Sequence, residues 1–464
     1  RDWSSDVCSS DLLIDKKADV NEAQADGTTA LHWAVRAGDA DLTARLLKAG
    51  AKASASNRYG VSPLYLAVQA NNTKLVDTLL DAGADANAVS SEGETALMTA
   101  AHVGGVEVIR SLVKHGAKLE AREEWHGETA LMFAAAQRHP EAVAALIDAG
   151  ADVNARSSVD KWERQQTMEP REKWLPPGGF TPLLFAARQN CLECARILIA
   201  KGARLNDTDP DGISPIVSAI INGHYDVAAF LIEQGSDISL ADKTGRTALY
   251  AATEFNTMPA SNRPAPNVLE EKHSALDLIR MLIAKGANVN VALKSQIPYR
   301  TKLDRGDDTM LTTGTTPLIR AGKAADIEAM KTLLGAGADV KAVTRNGVNA
   351  LMAAAGLGTK EEDNTGRLKT EELAIEAIDL CLKAGADINA VDSQGRSALH
   401  GASLKGYDKV VKHLAEQGAK LDLKDRRGFT ALDLALGKGG GVGFDGNASD
   451  VHQSTADLLK SFAK

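Results

Sequence analysis

Apolar residues along this chain fall into short stripes of helical period that return at a fixed spacing. One stripe opens on Thr or Ser, continues Ala or Pro and then Leu, and closes about six residues on. A second places apolar groups on one face, as at Val76, Leu79 and Leu80 or Val410, Val411 and Leu414. The Thr/Ser landmark falls at Thr29, Ser62, Thr95, Thr129, Thr181, Ser214, Thr247, Thr316, Asn349, Ser397 and Thr430. Six of the ten intervals are 33 residues and one is 34, while the others are 52, 69 and 48. A period of this kind predicts a repeated supersecondary unit, here a pair of short helices.

The polar positions mark where each helix starts and stops. A Thr or Ser hydroxyl accepts an orphan backbone N–H at an N-cap, and Pro63, Pro182, Pro215 and Pro317 follow where no N–H is needed. After the second stripe come Gly50, Gly83, Gly116, Gly150, Gly202, Gly235, Gly286, Gly337, Gly385 and Gly418, the expected left-handed terminators.

The units Asp26-Gly27-Thr28-Thr29-Ala30-Leu31-His32-Trp33-Ala34 and Asp242-Lys243-Thr244-Gly245-Arg246-Thr247-Ala248-Leu249 resemble ankyrin repeats. Eleven such units and the tail of another cover nearly all of the chain. The resemblance implies an α-helical repeat solenoid with β-hairpin-like tips projecting from one edge and a concave groove formed with the inner helices. A single repeat cannot bury its apolar face alone, so stability comes from stacking neighbours.

Composition adds bounds. The chain of 464 residues is expected to grow in one dimension, as one continuous domain from residue 13 to 464. Apolar content of 44% with 4% aromatic suits Ala/Leu/Val stacking, and a net charge of -8 argues against a general nucleic-acid binder. No run of 18 apolar residues suggests a membrane span. Residues 1–12 resemble an in-frame translation of a sequencing-adaptor oligonucleotide and are set aside, so Trp3 and Cys8 carry no functional weight. The repeat pattern then starts in mid-unit at about Leu13, and the natural N-terminus is expected to be missing. Residues 437–464 read as a loop and a polar-ended capping helix.

Four segments interrupt the register. Those at about 157–177 and 293–313 lengthen hairpin tips; those at 255–274 and 358–371 fall between first and second helices, on the opposite edge. Doubling a loop costs only about 0.6 kcal/mol, so the flanking register survives. Tolerated solvent loops are one reading. The other folds the two tip segments over the groove of repeats five to seven. Trp125, His126, Trp162, Trp174 and Phe180 cluster within two neighbouring tips of a chain poor in aromatics, which suggests one apolar recognition patch; packing of the tryptophans onto their own repeat remains the alternative. By the same resemblance, groove-facing positions include Arg58, Tyr59, His102, Arg188, Arg246, Glu254 and Phe255, and the second tip segment adds Tyr299 and Arg300.

Little points to chemistry. Cys191-Leu192-Glu193-Cys194 aligns Cys194 with the apolar Leu42, Leu75, Val108 and Val227, so core packing is expected, with a thiol switch as the other reading. No second Cys pair completes a zinc site. His32 and His400 occupy a place where the family uses histidine structurally. Gly437-Lys438-Gly439-Gly440-Gly441-Val442-Gly443 lacks the spacing and preceding strand of a phosphate loop. The expectation is a non-catalytic, cofactor-free, monomeric scaffold for a protein or peptide, binding no nucleic acid, in the cytoplasm or exported to a compartment such as the periplasm. The alternative is the targeting or regulatory arm of a larger enzyme or exported effector.

Overall fold

The computed structural model describes residues 19–90, 93–160, 176–257, 271–298, 312–358, 369–438 and 451–462. Among them every regular element is a helix, and pairing between extended segments is limited to isolated bridges at hairpin tips, such as Val89 with Thr95 and Ala241 with Thr247. The chain divides into two compact units, the first ending at Pro210 and the second running on from Asp211.

In the first unit the inner helices are α1 (Ala30–Arg36), α3 (Pro63–Gln69), α5 (Ala96–Val103), α7 (Ala130–Ala136) and α9 (Pro182–Arg188). They alternate with the outer helices α2 (Ala40–Lys48), α4 (Thr73–Asp81), α6 (Val106–Lys114), α8 (Pro140–Asp148) and α10 (Leu192–Ala200). Each inner helix packs on the next inner one, and each outer on the next outer. The Leu two places after each cap, Leu31, Leu64, Leu97, Leu131 and Leu183, is buried between them.

The second unit repeats this with inner helices α11 (Pro215–Ile221), α13 (Ala248–Thr257), α15 (Pro317–Ala324), α17 (Ala350–Ala354), α19 (Ala398–Leu404) and α21 (Ala431–Ala435). Its outer helices are α12 (Tyr225–Glu233), α14 (Ala275–Ala284), α16 (Ile327–Gly335), α18 (Glu371–Lys383) and α20 (Asp408–Glu416), closed by α22 (Gln453–Phe462) packed on α20 and α21. Two interruptions begin or end as helix. The inner helix α13 runs on to Thr257, and α18 starts at Glu371 behind the cap of Thr370.

The capping pattern is physical. Ser62, Thr95, Thr181 and Thr316 accept the backbone N–H three residues on, and each lies in an extended conformation before its helix. At Thr29 the box is closed by His32, whose Nδ1 accepts the Thr29 N–H at 3.2 Å while Nε2 reaches the Val61 carbonyl of the next repeat at 3.1 Å. His400 does the same with Ser397 and Phe429, at 3.1 and 3.3 Å. Both histidines are tautomer-fixed links between repeats.

The Asn of the Gly-Ala-Asp-x-Asn loop ties neighbours together on the other side. Asn87 Nδ2 donates to the Gly116 carbonyl at 3.0 Å and its Oδ1 accepts from Lys118 N at 2.8 Å. Asn21, Asn154 and Asn290 make the same pair of bonds one repeat on. Only a side chain with both a donor and an acceptor meets that demand.

Candidate functional site

Hairpin tips carry the exposed, structurally fixed side chains of the first unit. Several tips are folded by one polar side chain that accepts two or more backbone N–H groups. Asn57 Oδ1 accepts from Tyr59 and Val61, both at 3.0 Å, and in the second unit Asp242 Oδ1 accepts from Thr244 and Arg246 at 2.8 and 3.0 Å. Adjacent tips also bond backbone to backbone, as from Arg58 N to the Asp26 carbonyl at 2.9 Å and from Ser158 N to the His126 carbonyl at 2.6 Å.

The fourth tip is one residue longer, which accounts for the single 34-residue interval. Its acceptor is Glu123 rather than a shorter acid. The buried Glu123 carboxylate accepts from Trp125 N at 2.6 Å and from His126 N and Glu128 N at 2.8 Å. The longer side chain spans the extra residue and fixes the backbone beneath Trp125. Trp125 itself is 74% exposed. His126 is also exposed, with Nδ1 3.3 Å from Asp160 Oδ2.

Arg58 and Tyr59 are exposed at the second tip, where the guanidinium stacks 4.7 Å from the ring centroid and also donates to the phenol oxygen. His102 is exposed on α5, its ring 6.1 Å from that of Phe133. Phe180 differs from the surface role expected of it. It is buried at the base of the fifth hairpin, edge-on to Phe185 at 5.5 Å and beneath the Arg188 guanidinium at 5.5 Å. Arg188 is half-buried; burial lowers its pKa against the opposing pull of Glu128 and Asp209. Burial also pushes the Glu128 carboxyl above its ordinary range, with the Glu123 charge adding to the shift.

In the second unit, Arg246 and Glu254 are withdrawn from solvent, at 5% and 3% exposure, and Phe255 is half-buried. Arg246 Nε donates to Asp242 Oδ2 at 3.0 Å. The opening of the second tip segment packs on the same repeat. Leu293 and Ile297 form a buried cluster with Tyr250 of α13, and Lys294 N donates to the Thr244 carbonyl at 2.7 Å. Trp162, Trp174, Tyr299 and Arg300 lie outside the described residues.

Sequence reasoning missed the exposed valines. Val89 and Val159 are 58% and 55% exposed, so with Tyr59 and Trp125 four successive tips of the first unit each present an apolar group. A signal was present: Val89, Val343 and Val391 each stand directly before the tip acceptor Ser90, Thr344 or Asp392 and all are exposed. Among the described residues no three His, Cys, Asp or Glu are grouped to hold a metal ion, and no helix is long and apolar enough to cross a membrane.

A family model for ankyrin repeats, three copies in length, matches residues 6–90, 70–157, 183–292 and 371–442, more than half of the chain. The chain belongs to the ankyrin-repeat family. Ankyrin repeats are in general protein–protein interaction modules, not catalysts. Among curated ankyrin-repeat proteins, the chain is 27% identical over 198 residues to the ankyrin repeat and KH domain-containing protein mask-1 of Caenorhabditis elegans, covering 40% of this chain and 7% of that protein. It is 33% identical over 69 residues to protein phosphatase 1 regulatory subunit 27 of Mus musculus, covering 15% of this chain and 45% of that one. The chain thus spans less than half the length of these relatives. Among solved structures, the ankyrin repeat domain of Bcl-3 is 29% identical and aligns with 49% of this chain and 94% of its own, with a TM-score of 0.41.

Proposed function

We propose that this chain is a non-catalytic scaffold that binds a protein or peptide through the hairpin tips and inner helices of its first unit. The observation that carries the reading is Trp125, a tryptophan three-quarters exposed on a backbone that a buried carboxylate holds at three points. A rigid, accessible aromatic loses little conformational freedom when it enters a partner's pocket, which is why such residues dominate interface energetics. Arg58, Tyr59 and His126 extend the surface along neighbouring tips, and His102 and Arg188 extend it onto the inner helices. The scaffold acts as a monomer and takes no nucleic acid; with Tyr59, Val89, Trp125 and Val159 exposed along its tips, its partner contributes apolar side chains.

The test is a photo-crosslinking residue placed at 125 in the full chain, followed by Trp125→Ala binding to whatever protein the crosslink identifies. The expected result is a single crosslinked partner whose affinity falls at least tenfold in the variant, with an unchanged melting temperature. A partner crosslinked only from the outer helices and bound equally well by Trp125→Ala overturns the reading.

A further inference from the structure

Cys191 holds a position that polar side chains hold in other repeats. It is the residue before an outer helix, where Asp39, Asn72 and Asp326 accept the backbone N–H three residues on. The Asp39 and Asn72 oxygens accept from Leu42 and Leu75 at 2.8 and 3.2 Å, and Cys191 Sγ accepts from Cys194 N at 3.2 Å. The start of the nine-residue helix α10 presents unpaired N–H groups and the positive end of its dipole, so an acceptor bearing negative charge is favoured there. A thiolate at 191 meets that demand as the Asp39 carboxylate does. A neutral disulfide sulfur meets it less well.

Cys194 sits one turn in and is joined to Cys191 by a disulfide. The two sulfurs differ in environment. Cys194 is fully buried at the apolar position that Leu42 and Leu75 fill elsewhere, whereas Cys191 retains 5% exposure at the helix start. Core packing therefore accounts for Cys194 and leaves Cys191 unexplained. Cys381 shows what a packing cysteine looks like in this fold: it lies inside α18, without a bond, and burial pushes its thiol up to about 12.

We propose that Cys191 and Cys194 are a reversible dithiol–disulfide pair, with Cys191 the exchanging sulfur and its thiolate the cap of α10 in the reduced form. The co-reactant is a small-molecule thiol and its disulfide. A thiolate attacks Cys191 Sγ, the bond to Cys194 breaks, and Cys194 leaves as a thiolate that takes up a proton. A second small thiolate attacks the small-molecule sulfur of the mixed disulfide, releasing the Cys191 thiolate and one small-molecule disulfide. Two electrons pass from two small thiols to the protein, and the reverse sequence reoxidises it. This pair is independent of partner binding at the tips.

The experiment uses the full chain with Cys8→Ser, equilibrated in glutathione buffers of graded ratio, alkylated and mapped by mass spectrometry. The 191–194 disulfide is expected to titrate between fully formed and fully absent across the series. In the reduced protein, Cys191 should alkylate at pH 7 at least about a hundredfold faster than Cys381, with a rate midpoint below the ordinary thiol value of about 8.5. Cys191→Asp should match the melting temperature of the reduced protein, and Cys191→Ala should fall below it. A pair that stays wholly oxidised or wholly reduced across the buffers, or a Cys191 midpoint at or above about 8.5, overturns the proposal. The labelling readouts need no variant at 191, so poor folding of Cys191→Ala leaves them decisive.

Discussion

Arg246 Nη1 lies 3.8 Å from Glu254 Oε2, and both side chains are nearly sealed from water. One precedes the cap of α13 and the other sits seven places beyond it, so the two ends of an inner helical face meet through a single guanidinium. That guanidinium also holds Asp242, whose carboxylate folds the tip. The tip and the inner helix of this repeat are thereby one charged network. Glu254 Oε2 has no hydrogen bond in it, which leaves the ion pair as its compensation for burial.

Removing Arg246 should consequently hurt more than removing its counterpart in another tip. Arg396 pairs with Asp392 in the same i,i+4 arrangement, but its side chain is 29% exposed against 6% for Arg246. Arg246→Ala strands two buried carboxylates, Asp242 and Glu254, and should cost about 3 to 5 kcal/mol, whereas Arg396→Ala strands only Asp392 at a site where the guanidinium already meets water, and should cost about 1 to 2. Urea midpoints of the two variants give the comparison. Equal losses would show that burial is not what makes the Arg246 pair matter.

The loop asparagines offer a second test, because their role needs both ends of the amide. Asn87→Asp keeps the acceptor for Lys118 N but turns the donor facing the Gly116 carbonyl into a second acceptor. Asn87→Ala removes both bonds. Each substitution should lower stability by about 1 to 2 kcal/mol, with Asp no better than Ala despite its nearly identical shape. If Asn87→Asp is as stable as wild type in thermal melts, the bond to Gly116 contributes nothing.

Much of this architecture was legible in the chain. Thr95 and Thr181 cap where the period places caps, and Gly50 and Gly83 take positive φ where helices end. Local chemistry sets those features, so they are visible residue by residue. The candidate site was legible in part. Trp125 and Tyr59 stand exposed at tips because a hairpin apex has no neighbour to cover it. The burial of Arg246, Glu254 and Phe180 was not legible, since burial depends on packing between distant groups, as where Leu293 and Ile297 join Tyr250 from more than forty residues away and Phe185 turns its ring edge to Phe180. The disulfide between Cys191 and Cys194 was likewise open, because spacing alone permits packing or bonding.

Two glycines with ordinary φ separate space from conformation. A Cβ on Gly401 would lie 2.7 Å from Leu357 N, whereas one on Gly335, the last residue of α16, would meet nothing within 4 Å. Gly335→Ala should stabilise by about 0.5 kcal/mol through reduced freedom of the unfolded chain. Gly401→Ala should destabilise by about 1 to 3 kcal/mol, because α19 must move away from backbone that cannot give. Guanidinium melts of both proteins decide it; a Gly401→Ala chain as stable as wild type would mean that the inner helices separate freely.

The two bridging histidines should make stability depend on pH with a definite sign. Nδ1 of His400 accepts the Ser397 N–H, so this nitrogen must be unprotonated for the capping bond to form, and Nε2 carries the proton that faces the Phe429 carbonyl. Burial lowers the pKa of both His32 and His400, and their carbonyl and carboxylate neighbours offset this only in part. A group with a depressed folded-state pKa binds its proton more readily when unfolded. The stabilisation is therefore complete above the unfolded value of about 6.5 and is lost as pH falls through the lower folded value. The urea midpoint should drop between pH 7 and pH 5, and His400→Gln should flatten that drop while lowering stability at pH 7, since Gln reaches only one of the two partners. If the variant shows the same pH slope as wild type, His400 titrates alike in both states and its link to the next repeat is not the neutral form drawn from this geometry.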